Sequence, residues 1–250
     1  MARRPSPAVR GARGSGGRAR GGRTGLILGA LVLVAVGLVG FLQDGSLTLP
    51  GTTAAPPSSS VAQSAAPGTA LELLDSIAVK GKSPRTGYDR TEKFGSAWID
   101  VDRNGCDTRN DILARDLTQI VFGDDCRVLS GVIDDPYTGE AISFLRGNDT
   151  SALVQIDHVV ALSNAWQTGA QQLTYEQRVA LANDPLNLLA VDGPTNEKKS
   201  DGDTATWLPP NKPFRCQYVT RQVSVKRKYS LWVTSSEKDA MARVLETCVK

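Results

Sequence analysis

Hydrophobic and polar positions divide this chain into three stretches of different character. Residues 25–42, GLILGALVLVAVGLVGFL, carry neither a charge nor a polar stripe. At about 1.5 Å per residue they reach roughly 27 Å, enough for a bilayer core. A buried globular helix would keep one polar face, so the stretch predicts one transmembrane helix or an export signal. Residues 43–70 are built from Pro, Ser, Thr, Ala and Gly with little charge; they cannot bury enough surface to fold and read as a disordered tether. From Leu71 onward apolar residues become periodic, and residues 71–250 are expected to form the folded domain. Leu71, Leu74, Ile77 and Ala78 fall at helical spacing before Gly81. Residues 110–122 place Ile112, Leu113, Leu117, Ile120 and Val121 on one side of an expected helix ended by Gly123. Residues 127–134 and 140–146 are β-prone and flank Asp135-Pro136-Tyr137-Thr138-Gly139, which predicts a hairpin. A third β-like run covers 153–162. Helices are expected around 163–169 and from Thr174, which forms a capping-box pair with Gln177. A short strand follows at 186–191, then a helix started by Gly193-Pro194-Thr195. Two C-terminal helices follow Trp207-Leu208-Pro209-Pro210, the last capped by Ser236. The fold class is α+β, preceded by one transmembrane helix.

Charge sharpens the topology. Residues 1–24 hold seven Arg and no acid, so they are expected to stay cytoplasmic and everything beyond residue 42 to lie outside. The nearest tolerable cleavage site, Ala62-Gln63-Ser64, comes about 20 residues too late for a signal peptide. A retained anchor is the favoured reading, with secretion the outcome if the segment is cleaved. The net charge of +3 comes from that tail; the remainder is net acidic. One basic block stands out: Lys212, Arg215, Arg221, Lys226, Arg227 and Lys228, with no acid between residues 204 and 236. It reads either as a phosphate-tracking surface or as a solvated helix face.

Four cysteines without a CxxC pair argue against a zinc knuckle or a thioredoxin-like redox site, and no zinc is expected. In an oxidising compartment they predict two disulfides. Three pairings are open; the sequential one, Cys106 with Cys126 and Cys216 with Cys248, is favoured, each bond contributing roughly 2–4 kcal/mol. The chain has a single histidine, His158. That excludes an HExxH site or a three-His zinc set within one chain.

Val154-Gln155-Ile156-Asp157-His158-Val159-Val160 interrupts an apolar strand with an adjacent carboxylate and imidazole, which alternation puts on opposite faces unless the strand ends or bends there. Further on comes Asn187-Leu188-Leu189-Ala190-Val191-Asp192-Gly193-Pro194-Thr195-Asn196-Glu197-Lys198-Lys199. Asp-His on one strand, Asn-Leu-Leu opening another, then a second Asn three residues before a Lys, resembles the His-Asn-His (HNH) endonuclease motif. The variant with Asp-His first and Asn last is similar to the GmrSD-type nuclease domain. The resemblance is tight over residues 153–200, and residues 88–117 and 207–229 are similar to secreted or membrane-anchored actinobacterial-type members.

The resemblance implies a ββα-metal finger, two strands and a helix holding one divalent ion over a scissile phosphate, embedded in a mixed domain with extra helices and a hairpin. The stretch from His158 to Asn187 is longer than in a minimal finger and implies inserted helices. By resemblance Asp157 and Asn196 are the metal ligands, His158 is the general base, Asn187 fixes the loop and orients His158, and Lys199 and Lys198 contact phosphate. The chemistry fits these residue types: a neutral imidazole suits proton removal from water near neutral pH, and Mg²⁺, with Mn²⁺ as second choice, prefers carboxylate and amide oxygens. The implied activity is metal-dependent hydrolysis of phosphodiester bonds in DNA, with RNA left open as a second substrate, outside the cytoplasm. Nucleic acid and, through residues 25–42, the membrane are the implied partners. Plainer roles exist: Asn187 ending a turn after Asp184-Pro185, Asn196 opening a helix, solvated lysines. Arg90, Arg109 and Arg178 are further phosphate candidates that the sequence does not rank, and Trp166, Trp207 and Tyr218 read as core or lid. The rival class is a non-catalytic anchored module binding an anionic polymer at the cell envelope. A serine hydrolase lacks its GxSxG elbow.

Overall fold

A computed structural model of the chain describes residues 65–248. The Arg-rich tail, the apolar stretch 25–42 and most of the expected tether lie outside these residues; among the described ones no helix is long and apolar enough to cross a membrane. The domain is a mixed α and β structure, and it starts before Leu71. Helix α1 spans Pro67–Asp75. Its proline sits in the first turn, where a fixed φ and a missing N–H carry no penalty, and Ala70 and Leu74 are fully buried. Small residues read as tether by composition, yet here they let α1 approach closely.

That approach is to α7 (Arg215–Lys228) and α8 (Ser235–Cys248). The three helices enclose Leu74, Ile77, Val219, Val223, Met241 and Leu245. A disulfide between Cys216 and Cys248 joins the start of α7 to the end of α8, with Cα atoms 5.8 Å apart. The cap of α8 is Thr234, whose Oγ1 accepts from the Glu237 N–H at 3.2 Å. Ser236, the expected cap, stands two residues too late and meets the Thr234 hydroxyl instead.

The helix expected over 110–122 divides in two. Helix α3 covers Thr108–Asp116, with Asp107 as its cap, and strand β1 covers Thr118–Phe122. Leu117 turns extended between them (φ −93°, ψ 157°). The run Thr-Gln-Ile-Val-Phe is rich in β-branched and aromatic side chains, and pairing with β2 (Val128–Asp134) decides its state. β2 pairs in turn with β3 (Ala141–Leu145), giving an antiparallel sheet in the order β1-β2-β3. The hairpin turns where Asp135, Pro136 and Gly139 predict it. Asp135 Oδ2 accepts from the Thr138 N–H and hydroxyl at 2.7 and 2.6 Å, and Gly139 takes φ +82°. A second disulfide, Cys106–Cys126, ties the approach to α3 to the β1–β2 loop.

The stretch bearing the chemistry is a second, two-stranded sheet. β4 (Val154–His158) runs antiparallel to β5 (Leu188–Asp192), with Asp157 opposite Leu189 and His158 opposite Leu188. Two helices, α4 (Leu162–Gln167) and α5 (Tyr175–Ala182), are inserted between the strands. The Thr174 and Gln177 capping box opens α5. The outer edge of β5 meets no further strand among the described residues. Its Ala190 and Asp192 N–H groups donate to the carboxylates of Asp116 and Asp135, each at 2.8 Å. The Leu188 carbonyl accepts from Arg115 and Arg221. Side chains thus satisfy backbone groups that would otherwise be stranded.

Directly after β5 comes α6 (Gly193–Lys199), capped by Asp192, whose Oδ2 accepts from the Thr195 N–H at 2.8 Å. Gly193 allows that junction. A β-carbon there would stand 2.1 Å from the Ala152 carbonyl oxygen, a backbone atom that cannot swing away. Gly193→Ala should therefore destabilise the domain by about 1–3 kcal/mol, the usual range for overpacking. Gly81→Ala, where a β-carbon meets nothing within 4 Å, should stay within about 0.5 kcal/mol of wild type. Thermal unfolding of the two variants side by side checks the pair.

Candidate active site

Strand alternation governs the placement of the adjacent acid and imidazole. Asp157 lies on the face of β4 shared with Val159, toward Tyr137, Leu189 and Tyr218. His158 points the other way, its ring nearly parallel to that of Trp98 with centroids 6.2 Å apart. Both residues border one polar cleft of about 290 Å³, together with Asn196, Ser200 and Asp201 from the α6 side and Arg85, Tyr88 and Arg90 from the N-terminal segment.

His158 is buried and its Nε2 lies 2.8 Å from the Ala182 carbonyl oxygen at the end of α5. A carbonyl only accepts, so Nε2 carries the proton and Nδ1 keeps its lone pair in the neutral ring. Burial is the main force lowering the imidazole pKa to about 4, and the nearby Arg90 guanidinium adds to it. The ring is therefore neutral, with a free acceptor nitrogen, throughout the physiological range.

Asn187 is fully buried and works as a double staple. Its Oδ1 accepts from the Val160 N–H at 2.8 Å, and its Nδ2 donates to the carbonyls of Val160 and Leu181, each at 3.3 Å. Asn187 thus joins the chain just after His158 to the end of α5, the segment that presents the Ala182 carbonyl.

Asp157 has neither oxygen free of a partner. Oδ1 accepts from the Lys199 ammonium at 2.9 Å, and Oδ2 accepts from the Tyr137 hydroxyl. Burial and the Asp157 charge hold the Tyr137 phenol well above its ordinary pKa, so it remains a proton donor. Lys199 also donates to the His158 carbonyl at 2.9 Å and is 2% exposed. The phosphate contact expected of Lys199 does not fit this placement, because its charge is turned inward and already neutralised. Lys198, one position earlier, is exposed.

Asn196, on the same helix, is half-buried and donates from Nδ2 to Gln155 Oε1 at 2.9 Å. Its amide oxygen accepts no hydrogen bond among the described residues. No group of three or more His, Cys, Asp or Glu side chains there is arranged to hold a metal. The hard oxygen donors that border the cleft are the carboxylates of Asp157 and Asp201 and the Asn196 amide oxygen, beside the hydroxyls of Ser163 and Ser200. Such a hard set suits an ion that keeps several waters, as Mg²⁺ does, and is unsuited to zinc.

The basic block of α7 resolves toward the fold. Lys226 is buried against Glu237 at 3.0 Å and donates to the Trp232 carbonyl. Arg221 donates to the carbonyls of Pro185, Leu186 and Leu188. Arg215 binds the Pro209 carbonyl, and Lys228 pairs with Asp184 at 2.6 Å. A continuous phosphate-tracking face is not what these side chains form. Arg109 and Arg178 are likewise spent on backbone carbonyls. Trp166, Trp207 and Tyr218 belong to the packed clusters, as core or lid. Tyr137 and Ala182 were not legible as site residues: one reads as a turn residue, and the other contributes only backbone.

Two outcomes follow from the buried groups. Lys199→Met should cost about 3–5 kcal/mol of stability by stranding the Asp157 carboxylate, whereas Lys198→Ala should stay near wild type; denaturant unfolding compares them. His158 is neutral in the folded state down to about pH 4, while the unfolded chain protonates it near 6.5. Its contribution is therefore fully present above pH 6.5 and is lost as the pH falls to about 4, by at most about 1.4 kcal/mol per pH unit. Metal-free wild type should lose stability relative to His158→Gln across that window, and a constant difference between the two would refute the assignment.

Comparison with known proteins agrees with the motif. The family described as GmrSD restriction endonucleases, C-terminal domain, matches residues 107–244. An uncharacterized secreted protein of Arthroderma benhamiae is 39% identical over 182 residues, covering 72% of this chain and 85% of that protein. No solved structure matches. With the match spanning β4, β5, α6 and the whole cleft floor, the chain belongs to the family of GmrSD restriction endonuclease C-terminal domains, an HNH-type nuclease family.

Proposed function

We propose that this protein is a metal-dependent HNH endonuclease that hydrolyses phosphodiester bonds of DNA outside the cytoplasm, with RNA as the second substrate to test. The observation that carries the reading is the neutral His158 ring, its Nε2 fixed by the Ala182 carbonyl and its Nδ1 left as acceptor, beside Asp157 and Asn196 on one polar cleft. β4, β5 and α6 supply the two strands and the helix of a ββα-metal finger.

In the mechanism, Nδ1 of His158 takes a proton from a water molecule as the water oxygen attacks phosphorus. The phosphorus bond to the 3′ oxygen breaks, leaving a 5′-phosphate end by family analogy. Asn187 keeps the imidazole aimed by holding the segments on both sides of it. Lys199 and Tyr137 fix the Asp157 carboxylate, and Lys199 also holds the His158 carbonyl. Asp157 and Asn196 are the residues that would hold a divalent cation of the Mg²⁺ kind, which supplies charge neutralisation at the phosphate and the leaving oxygen. Lys198 is left as the phosphate contact from α6.

An extracellular setting is supported by the two disulfides, which persist in oxidising compartments, and by the secreted relative. The anchor assigned to residues 25–42 rests on the sequence alone. The rival anionic-polymer module loses its main support, since most of the basic block is engaged within the fold.

The test is cleavage of supercoiled plasmid and of single-stranded DNA and RNA, with Mg²⁺, Mn²⁺ or EDTA. Wild type should nick in the presence of metal only. His158→Ala should lower the rate about 10²–10⁴-fold, the span of general-base catalysis. Undiminished turnover by that variant removes His158 from the mechanism; folded wild type inactive on every nucleic acid removes the nuclease reading.

A further inference from the structure

Part of the cleft wall comes from a segment that precedes the family match at residues 107–244. Residues 79–89 lie across the domain as a strap. Val79 forms a parallel bridge with Val233. The Ser83 N–H donates to the Gln167 carbonyl at 2.8 Å, and Gln171 Nε2 donates to the Pro84 carbonyl at 3.0 Å. The indoles of Trp232 and Trp166 donate to the carbonyls of Gly81 and Thr86. Tyr88 then packs its ring against Phe94 and Trp166. Thus anchored, the strap brings Arg85 and Tyr88 to the cleft and leads into Arg90, which lines it as well.

The arginines at the cleft differ from those that are held within the fold. Arg109, Arg115, Arg178 and Arg221 each donate to backbone carbonyls. Arg90, exposed at the N-terminal end of helix α2 (Arg90–Phe94), makes no hydrogen bond and no ion pair among the described residues. Arg85 lies over the Tyr88 ring at 5.1 Å, and its nearest carboxylate, Asp201, is 3.9 Å away. Two guanidinium groups with free donors therefore face the same space as His158. A planar fork of N–H donors matches the oxygens of a phosphodiester.

We propose that Arg85 of the strap and Arg90 at the start of α2 form a phosphate-binding subsite that holds the nucleic-acid backbone beside the bond presented to His158. This rests on the nuclease reading and adds to it the surface that grips the substrate.

The test uses the full chain carrying His158→Ala, in EDTA, with a fluorescently labelled single-stranded 12-mer of DNA followed by anisotropy at several salt concentrations. Adding Arg90→Ala, or Arg85→Ala, should weaken binding and reduce the slope of log K against log salt by about 0.7 for each arginine. Arg90→Lys should restore most of the slope. In the His158-intact chain, Arg90→Gln should raise KM and leave kcat within a few-fold. A salt slope unchanged by both alanine variants overturns the subsite while leaving the nuclease reading standing. Absence of any oligonucleotide binding by the His158→Ala parent also overturns the subsite, while the nuclease reading is decided by the cleavage assay.

Discussion

A single buried ammonium holds the candidate site together. Lys199 reaches from the last turn of α6 to the Asp157 carboxylate and to the His158 carbonyl, so one side chain ties the helix to two consecutive residues of β4. Taking two charges out of water is costly, and attraction repays it only when geometry and further hydrogen bonds are good. Tyr137 supplies that further bond on the second carboxylate oxygen. Everything else in the region adjusts to this contact. The glycine at the start of α6 lets the helix come close enough, and the Asp192 cap sets its direction. The hairpin that carries Tyr137 is held to β5 by Asp135.

His158 obeys a different constraint. It faces away from Lys199, so its orientation is set by the inserted helices: the Ala182 carbonyl fixes Nε2, and Asn187 fixes the chain on either side. The insertion between the strands thus belongs to the chemistry. The acid and the imidazole share a cleft because they stand next to each other in sequence, yet they are positioned by separate parts of the fold. A change to one support need not disturb the other.

Much of this was legible in local sequence. The hairpin at residues 135–139, the capping box at Thr174, the Asp-His strand and the helix start at Gly193-Pro194 all follow from signals within a few residues. Residues 110–122 misled because Ile120 and Val121 satisfy a helical spacing as well as a strand, and only pairing with β2 decides. Lys199 misled for another reason: lysines are rarely fully buried, so its sequence neighbourhood suggested solvent and phosphate. Tyr137, the Ala182 carbonyl and the isolation of Arg90 depend on contacts between distant segments, which no local pattern reports. Within α7, similar charges met opposite fates, Lys226 buried against Glu237 and Arg227 exposed, because helical phase decides which face meets the core.

The outer edge of β5 has a wider meaning. Where a larger sheet would place a neighbouring strand, two carboxylates and two guanidinium groups take its hydrogen bonds. Side chains are a finite partner: they satisfy the edge and expose no new edge beyond themselves. On that side the sheet under the cleft is therefore closed, and the β5 edge offers no template on which an unfolded segment or a second molecule could build a further strand.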